Sequence, residues 1–465
     1  MTCIKGRAKS CHATLQSMTE KKVILVLGAG RSSSSLISHL LAQAEKEQWT
    51  ITVGDLNVDA ALAKINGHAC GEAFQLRVDD VDARNQRIAS ADLVISMLPA
   101  FMHVEVAKVA IEAGVHVITP SYVSPEMKAL DKQAREAGVL VLNELGLDPG
   151  IDHMSAMQII DGIRSAGGKM LGFESYCGGL VAPDSDDNPW HYKLSWNPRN
   201  VVLAGQGGSA TFLEKGRVRV VPPHRTFQSL TSIEVEGRMY DGYPNRDSLS
   251  YLELYGLGEV ETLVRGTLRS SGFSSSWDLM VQLGMVRDDA VLTWPEGTSW
   301  ADWTRSFLAA DVERGMEVRA AVQRFTGASD EDVDRLAWLG LFAADHGPEA
   351  LTGTPAQIIE HLVTAKWALH AGDRDLVVMW HKFEYLLDGK RKAKTSSLCL
   401  EGRDSVYTAM SDTVGLPMAL AVKPMLEGTF GTVGVDVPMK STYYEPLLAG
   451  LSNLGIRFVE RELDA

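Results

Sequence analysis

The apolar run Val23-Ile24-Leu25-Val26-Leu27 is followed at once by Gly28-Ala29-Gly30-Arg31-Ser32-Ser33, and the next apolar run ends at Asp55. A strand, a glycine turn, a helix, a second strand and an acid, in that order, form the βαβ unit that grips a dinucleotide. Gly28 permits the tight turn, and Gly30 presents no side chain to a pyrophosphate. The helix starting near Ser32 aims free N–H groups and its positive dipole end at the phosphates. Asp55 suits two ribose hydroxyls and repels a 2′-phosphate, so NAD is the expected cofactor and NADP the other candidate. Arg31 and Ser32 in the turn, with Leu56 and Met97 at strand ends, complete the expected cofactor contacts. Ser33 stands where a third Gly or Ala is usual and crowds the helix–strand contact slightly. The competing reading is a βα turn that holds no ligand.

The chain has 465 residues, too many for one core, and points to two or three domains. No apolar stretch approaches the roughly 18–20 residues of a membrane helix. A net charge of -14 argues against nucleic acid as partner, and leaves an anionic substrate to be held by a few local arginines. The five cysteines (Cys3, Cys11, Cys70, Cys177, Cys399) form no CxxC pair, so neither a disulfide framework nor a zinc knuckle is expected, and a reducing cytoplasm fits. Residues 1–18 carry Lys5, Arg7 and Lys9 without an apolar core. They read as a disordered tail or an extension ahead of Met18, with an organelle transit peptide as the alternative.

From Val23 to about Glu144, β-branched runs at 23–27, 50–54, 74–78, 93–98, 115–119 and 139–143 alternate with amphipathic stretches. That alternation predicts an α/β fold, a Rossmann-type doubly wound parallel sheet with its ligand at the carboxyl ends of the strands. From 170 to 270 the texture becomes strand runs with Gly/Pro loops: Phe173–Cys177, Val201–Ala204, Val218–Val221 and Ser232–Val235. This predicts an α+β domain. Helical periodicity then covers 273–372, strand signals return at Asp375–Trp380 and Thr395–Leu400, and a helix is expected over Val406–Ala421. The boundaries read as a tail over 1–20, a nucleotide domain over 21–147 joined by 436–465, an α+β domain over 148–272 and 373–435, and a helical subdomain over 273–372.

Directly after the last predicted strand of the nucleotide domain comes Asn143-Glu144-Leu145-Gly146-Leu147-Asp148-Pro149-Gly150-Ile151-Asp152-His153-Met154. Pro149 suits a first helical turn and Asp148 an N-cap before it, with Asp152 and His153 riding that turn, His153 in a structural role. Further on stand Ser175-Tyr176-Cys177-Gly178-Gly179-Leu180, Asp187-Asn188-Pro189, Ser195-Trp196, Tyr243-Pro244-Asn245-Arg246-Asp247-Ser248 and Arg265-Gly266-Thr267-Leu268-Arg269. In these motifs, and in Asp373–Val378, Thr395–Leu400 and Met410–Val422, the chain resembles the glutamate-forming saccharopine dehydrogenases from about Lys22 to its end. Plants and animals carry a similar module fused to a lysine–ketoglutarate reductase. The length here leads us to expect the stand-alone form.

The resemblance implies oxidation of saccharopine, a secondary amine with three carboxylates, to glutamate and 2-aminoadipate 6-semialdehyde by NAD(P)⁺ and water. It implies a homodimer built through the second domain. The implied substrate contacts are Ser121, Tyr122, Asp148, Cys177, Arg246, Thr267, Leu268 and Arg269. Guanidinium forks suit carboxylates, which fits the two arginines. Ser121, Leu147, Asp148 and Ser195 are implied next to the cofactor. Asp148, then Tyr122, are the expected acid/base groups, and Cys177 lines the pocket without acting as a nucleophile. Asp55 replaces the arginine of fungal NADP-using members, while Arg77 near the third strand softens the discrimination against a 2′-phosphate.

Three other readings compete. A carboxyspermidine- or opine-type dehydrogenase would drop one carboxylate-binding arginine, whereas Arg246 and Arg269 are both present. A non-catalytic nucleotide-binding regulator of the same fold would bind NAD without turnover. A metal hydrolase would need ligand spacing that the Asp184, Asp186, Asp187 cluster lacks, so no metal is expected.

Overall fold

The structure, a computed structural model, describes residues 21–77, 80–309 and 315–463. The expected tail over 1–20 lies outside those residues. Six short strands open the chain: β1 (Lys22–Leu27), β2 (Trp49–Asp55), β3 (Gly71–Gln75), β4 (Leu93–Ser96), β5 (His116–Ile118) and β6 (Leu140–Leu142). Ile24 to Leu27 and Leu93 to Ile95 are buried throughout, as continuous apolar runs should be when helices cover both faces. With Gly434–Asp436 they form one parallel sheet in the order Gly434–Asp436, β6, β5, β4, β1, β2, β3. The winding direction reverses between β1 and β4, so the crevice opens at their carboxyl ends. There Gly28 takes a φ of +107°, and a Cβ on it would stand 2.9 Å from the Met97 carbonyl oxygen. Only glycine closes that turn.

The second sheet is mixed. Its strands are β7 (Lys169–Val181), β8 (Ala210–Glu214), β9 (Arg217–Val221), β10 (Thr231–Val235), β11 (Arg238–Pro244), β12 (Thr262–Ser270), Asp375–Leu387, Lys390–Glu401 and Val459–Leu463. They run in the order β10, β11, β12, β7, Asp375–Leu387, Lys390–Glu401, Val459–Leu463, with the β8–β9 hairpin beside β12. The helix Ile151–Ser165 packs on one face and carries the chain from the first sheet to the second. Its apolar stripe joins Ile24, Leu36 and Leu142 to Phe173, Phe383 and Tyr443 in one continuous core. A separate core of Trp190, Trp277, Trp303 and Trp367 holds the helical block.

Three expectations change. Val201–Ala204 is helical: Asn197 caps Arg199 N at 2.9 Å and Pro198 opens the turn, which outweighs the paired valines. The end of the chain divides between the sheets, since Gly434–Asp436 joins β6 while Val459–Leu463 pairs with Lys390–Glu401. Its exposed Val-Glu-Arg-Glu-Leu run suits a charged edge better than a buried parallel strand. The helix Ala409–Leu426, expected over Val406–Ala421 and grouped with the second domain, packs along the helix Ser34–Glu47 of the first. Gly415 makes that approach possible, because a Cβ there would sit 2.8 Å from the Leu36 amide nitrogen. No helix among the described residues is long and apolar enough to cross a membrane.

Gly415→Val should therefore force these helices apart at a cost of about 2 kcal/mol, read as a lower urea midpoint. An unchanged midpoint would show that the contact re-seats freely.

Candidate active site

The glycine turn, the loop after β5, the loop after β6 and one face of β12 meet at the seam between the sheets. In the turn, a Cβ on Gly30 would meet nothing within 4 Å, which leaves the approach to the amides of Arg31 and Ser32 open. The helix starts later than expected: a 3-10 turn over Arg31–Ser33 precedes Ser34, and Ser33 Oγ bonds back to the Gly30 carbonyl at 2.9 Å. Ser33 thus closes the turn from inside. Asp55 ends β2 with Oδ2 accepting from Ala29 N at 2.6 Å and Oδ1 from Asn57 N at 2.9 Å. It braces the turn and keeps lone pairs for a ribose. The open cradle and the braced acid fit a dinucleotide. Leu56 is exposed beside it. Lys64, which the sequence did not single out, donates to Ser34 Oγ; burial pushes its pKa down to about 8, against the pull of the Asp55 charge. Arg31 reaches across the seam, where Nη1 donates to the Leu194 carbonyl at 3.1 Å, next to buried Ser195.

Asp148 does not cap the following helix. The Asp148–Pro149 bond is cis and Gly150 takes the N-cap position at φ +145°, where a Cβ would strike the Gly146 carbonyl at 2.1 Å. The carboxylate that serves this turn is Asp152, whose Oδ1 accepts from Gly150 N at 2.6 Å. Asp148 is left facing the crevice. Its Oδ1 accepts from the Tyr122 hydroxyl at 3.2 Å and from Arg265 Nη2 at 2.8 Å. The same guanidinium nitrogen donates to Asp152 Oδ2 at 2.7 Å, and the Arg265 group lies 4.0 Å over the Tyr251 ring. Behind Asp152, His153 Nε2 lies 2.8 Å from Glu144 Oε2 and Nδ1 lies 2.7 Å from the Tyr255 hydroxyl.

One guanidinium thus serves two carboxylates, and they separate. Burial and the neighbouring Asp152 charge, only partly offset by Arg265, push Asp148 up to about 6. For Asp152 burial also acts upward, but His153, Arg265 and the Gly150 amide outweigh it and hold the carboxyl below its usual range. Of the two carboxyls, Asp148 is the one pushed toward neutrality. Burial and the two nearby carboxylates push the Cys177 thiol up, so it lines the site as a thiol.

Along β12, Arg265, Thr267 and Arg269 share one face. Thr267 Oγ1 donates to Asn245 Oδ1 at 2.7 Å and stands beside Cys177 in the strand register. Arg269 is 3% exposed among Tyr192, Tyr243 and Phe273, with its guanidinium carbon 5.3–6.0 Å from their ring centres. Nη1 donates to the Leu268 carbonyl at 2.9 Å, Nε has no partner, and among the described residues no acid pairs with it. Leu268, expected as a substrate contact, turns instead to the opposite face and packs with Tyr176 and Val378, as strand alternation requires. Arg246 is exposed on the loop after β11, its guanidinium lying against Gly207. Leu147 is buried in the continuous core and Met97 backs Gly28. Sequence reasoning missed Arg265, Asp152 and Glu144 as members of the site and gave His153 a structural part only. The signal available was a second arginine two pleats from Arg269 on the same strand face.

Residues 24–142 match the family described as saccharopine dehydrogenase NADP binding domain, and residues 146–456 the saccharopine dehydrogenase C-terminal domain. A saccharopine dehydrogenase (NADP(+), L-glutamate-forming) from Pyricularia oryzae is 37% identical over 442 residues, 92% of this chain and 96% of that one. Mitochondrial alpha-aminoadipic semialdehyde synthase from Bos taurus is 35% identical over 98% of this chain, which spans 49% of that protein. The solved apo saccharopine dehydrogenase (L-Glu forming) from Saccharomyces cerevisiae superposes with a TM-score of 0.84 at 33% identity, covering 95% of this chain and all of that one. With both domains matched and relatives above 30% identity over nearly its whole length, the chain belongs to the saccharopine dehydrogenase family.

Proposed function

We propose that this protein oxidises saccharopine, with a nicotinamide dinucleotide and water, to glutamate and 2-aminoadipate 6-semialdehyde. The observation that carries the reading is Arg269, a buried guanidinium that no acid pairs with among the described residues. An unpaired buried cation is costly, and a ligand carboxylate arriving in its aromatic box supplies the missing charge. Arg269 lies four residues along β12 from Arg265, about 13 Å for a strand. That span suits a substrate whose carboxylate stands many bonds from its reacting carbon. Arg246 at the rim and Thr267 between would take the remaining carboxylates.

A bound nicotinamide would supply the hydride acceptor for the carbon next to the substrate nitrogen. Asp148 handles the proton. Tyr122 and Arg265 occupy Oδ1, which leaves Oδ2 without a partner among the described residues on a side chain 16% exposed. Oδ2 takes the proton of the secondary ammonium and releases it to solvent. It then takes the proton of the water that adds to the resulting iminium carbon, and gives that proton to the nitrogen as the C–N bond breaks. Ser121 and Tyr122 flank the reacting centre, and Gly28, Gly30, Arg31, Ser32, Leu147 and Ser195 hold the dinucleotide. For the coenzyme we favour NAD. Asp55 opposes a 2′-phosphate, although the fungal relative is named for NADP(+) and Lys64 tempers the acid. Cys70 and Cys177 are buried free thiols and Cys399 an exposed one, which supports a cytoplasmic setting, and we infer a homodimer.

Absorbance of the reduced nicotinamide, followed with saccharopine and either coenzyme, tests the reaction and should give the higher kcat/KM with NAD. Binding of the coenzyme without turnover would overturn the reading. Arg269→Met should raise KM for saccharopine by about 2–5 kcal/mol in equivalent free energy while leaving Tm unchanged or higher, because the buried charge goes with the fork. Protonating Asp148 removes the base, so log kcat/KM should fall as pH drops below about 6. In Asp148→Asn that acid limb should disappear at a rate lower by about 100-fold or more.

A further inference from the structure

Behind Ser121 lies a buried pair that the proposed chemistry has not used. His103, 3% exposed at the start of the helix after β4, places Nδ1 2.8 Å from Ser96 Oγ and Nε2 2.8 Å from Ser121 Oγ. Ser96 ends β4 with no exposure, and among the described residues its hydroxyl has one hydrogen-bond partner, His103 Nδ1. Ser121 follows β5 in the loop that carries Tyr122, and it is only partly buried. One end of this chain is therefore sealed in the sheet and the other opens at the crevice.

The sealed end sets the direction of every bond. A buried hydroxyl hydrogen must find an acceptor, and among the described residues the hydrogen-bond partner of the Ser96 hydroxyl is Nδ1. If Nδ1 carried the hydrogen instead, the Ser96 O–H would be left unpaired in the interior. Burial also pushes the His103 pKa down to about 4, so the ring is neutral and holds a single N–H. That N–H then belongs to Nε2 and points at Ser121 Oγ. With its oxygen accepting from the ring, Ser121 has its own hydrogen left to give.

We infer that Ser96 and His103 are positioning residues that hold the Ser121 hydroxyl as a hydrogen-bond donor into the crevice, aimed at an oxygen acceptor of the bound molecule. An ammonium or amide N–H at that point is disfavoured. A carbonyl or carboxylate oxygen fits, and two sources offer one: the carboxamide of the nicotinamide and a carboxylate of the substrate. The choice between these sources rests on the function proposed above; the direction of the bonds does not.

Long-range ¹H–¹⁵N correlation on full-length protein labelled at the histidine rings reads the tautomer, with the His103 signal assigned by its loss in His103→Gln. The Nε2–H form is expected, and the Nδ1–H form or a doubly protonated ring would overturn the inference. Activity plays no part in that reading, so it survives a failure of the proposed reaction. Ser96→Ala, which removes one buried oxygen, should weaken ligand binding about tenfold with Ser121 present and have no effect in a Ser121→Ala background. Equal effects in both backgrounds would overturn the inference, since a merely structural role acts regardless of Ser121. A change in NADH affinity, followed by fluorescence, identifies the carboxamide as the acceptor, and a change in the KM for saccharopine identifies the carboxylate. No change in either would overturn the inference.

Discussion

One guanidinium carries the seam of this molecule. Arg265 projects from the second sheet and donates through a single nitrogen to Asp148, in the loop leaving the first sheet, and to Asp152, on the helix that joins the two. Ion pairs at a surface are worth little, but this one is buried and stacked on Tyr251, where losing a partner strands a charge. The arrangement fixes the approach of the two sheets to the accuracy of a hydrogen bond. It also divides two carboxylates one nitrogen apart into a firmly ionised one and one near neutrality. Architecture and reactivity are here the same contact.

The rest of the fold keeps that contact in register. The continuous apolar core from Leu36 to Phe383 passes through the helix Ile151–Ser165, so the loop bearing Asp148 is anchored at its far end by buried Ile151 and Met154. The helix Ala409–Leu426 returns to lie on the helix of the glycine turn, and Asp375 receives its first amides, Ala409 N at 2.6 Å and Met410 N at 3.0 Å. Ser411 Oγ then accepts from Ser35 N at 2.9 Å. From the second sheet to the glycine turn of the first, the path is polar, buried and satisfied.

Much of this could be read in the residues. The order of strand, glycine turn, helix and acid located the first sheet and its crevice, because the βαβ unit is local and its periodicities are strong. The arginines of the two substrate motifs stood out because forks suit carboxylates. What escaped was contact between distant segments. Nothing near Arg265 in the chain marks it as the partner of Asp148, and Asp148 looked like a helix cap because Asp-Pro before an apolar run usually is one. Strand alternation was visible around Leu268, yet the resemblance set it beside its neighbours when its side chain turns away. Val201-Val202 carried a strand signal that Asn197 and Pro198 overrode, and the last strand was drawn to the wrong sheet because a short charged edge has almost no periodic signature.

The crossing helix Ala409–Leu426 has a consequence for how such a chain can be divided. Because Gly415 lets it rest on the backbone beside Leu36, the nucleotide lobe owes one wall to residues that arrive only near the C-terminus. A fragment ending after the last strand of the first run would expose the apolar stripe of the helix Ser34–Glu47 to water. The two lobes are therefore not separable parts, and a nascent chain can close the wall behind its glycine turn only once the ribosome has delivered the segment through Leu426.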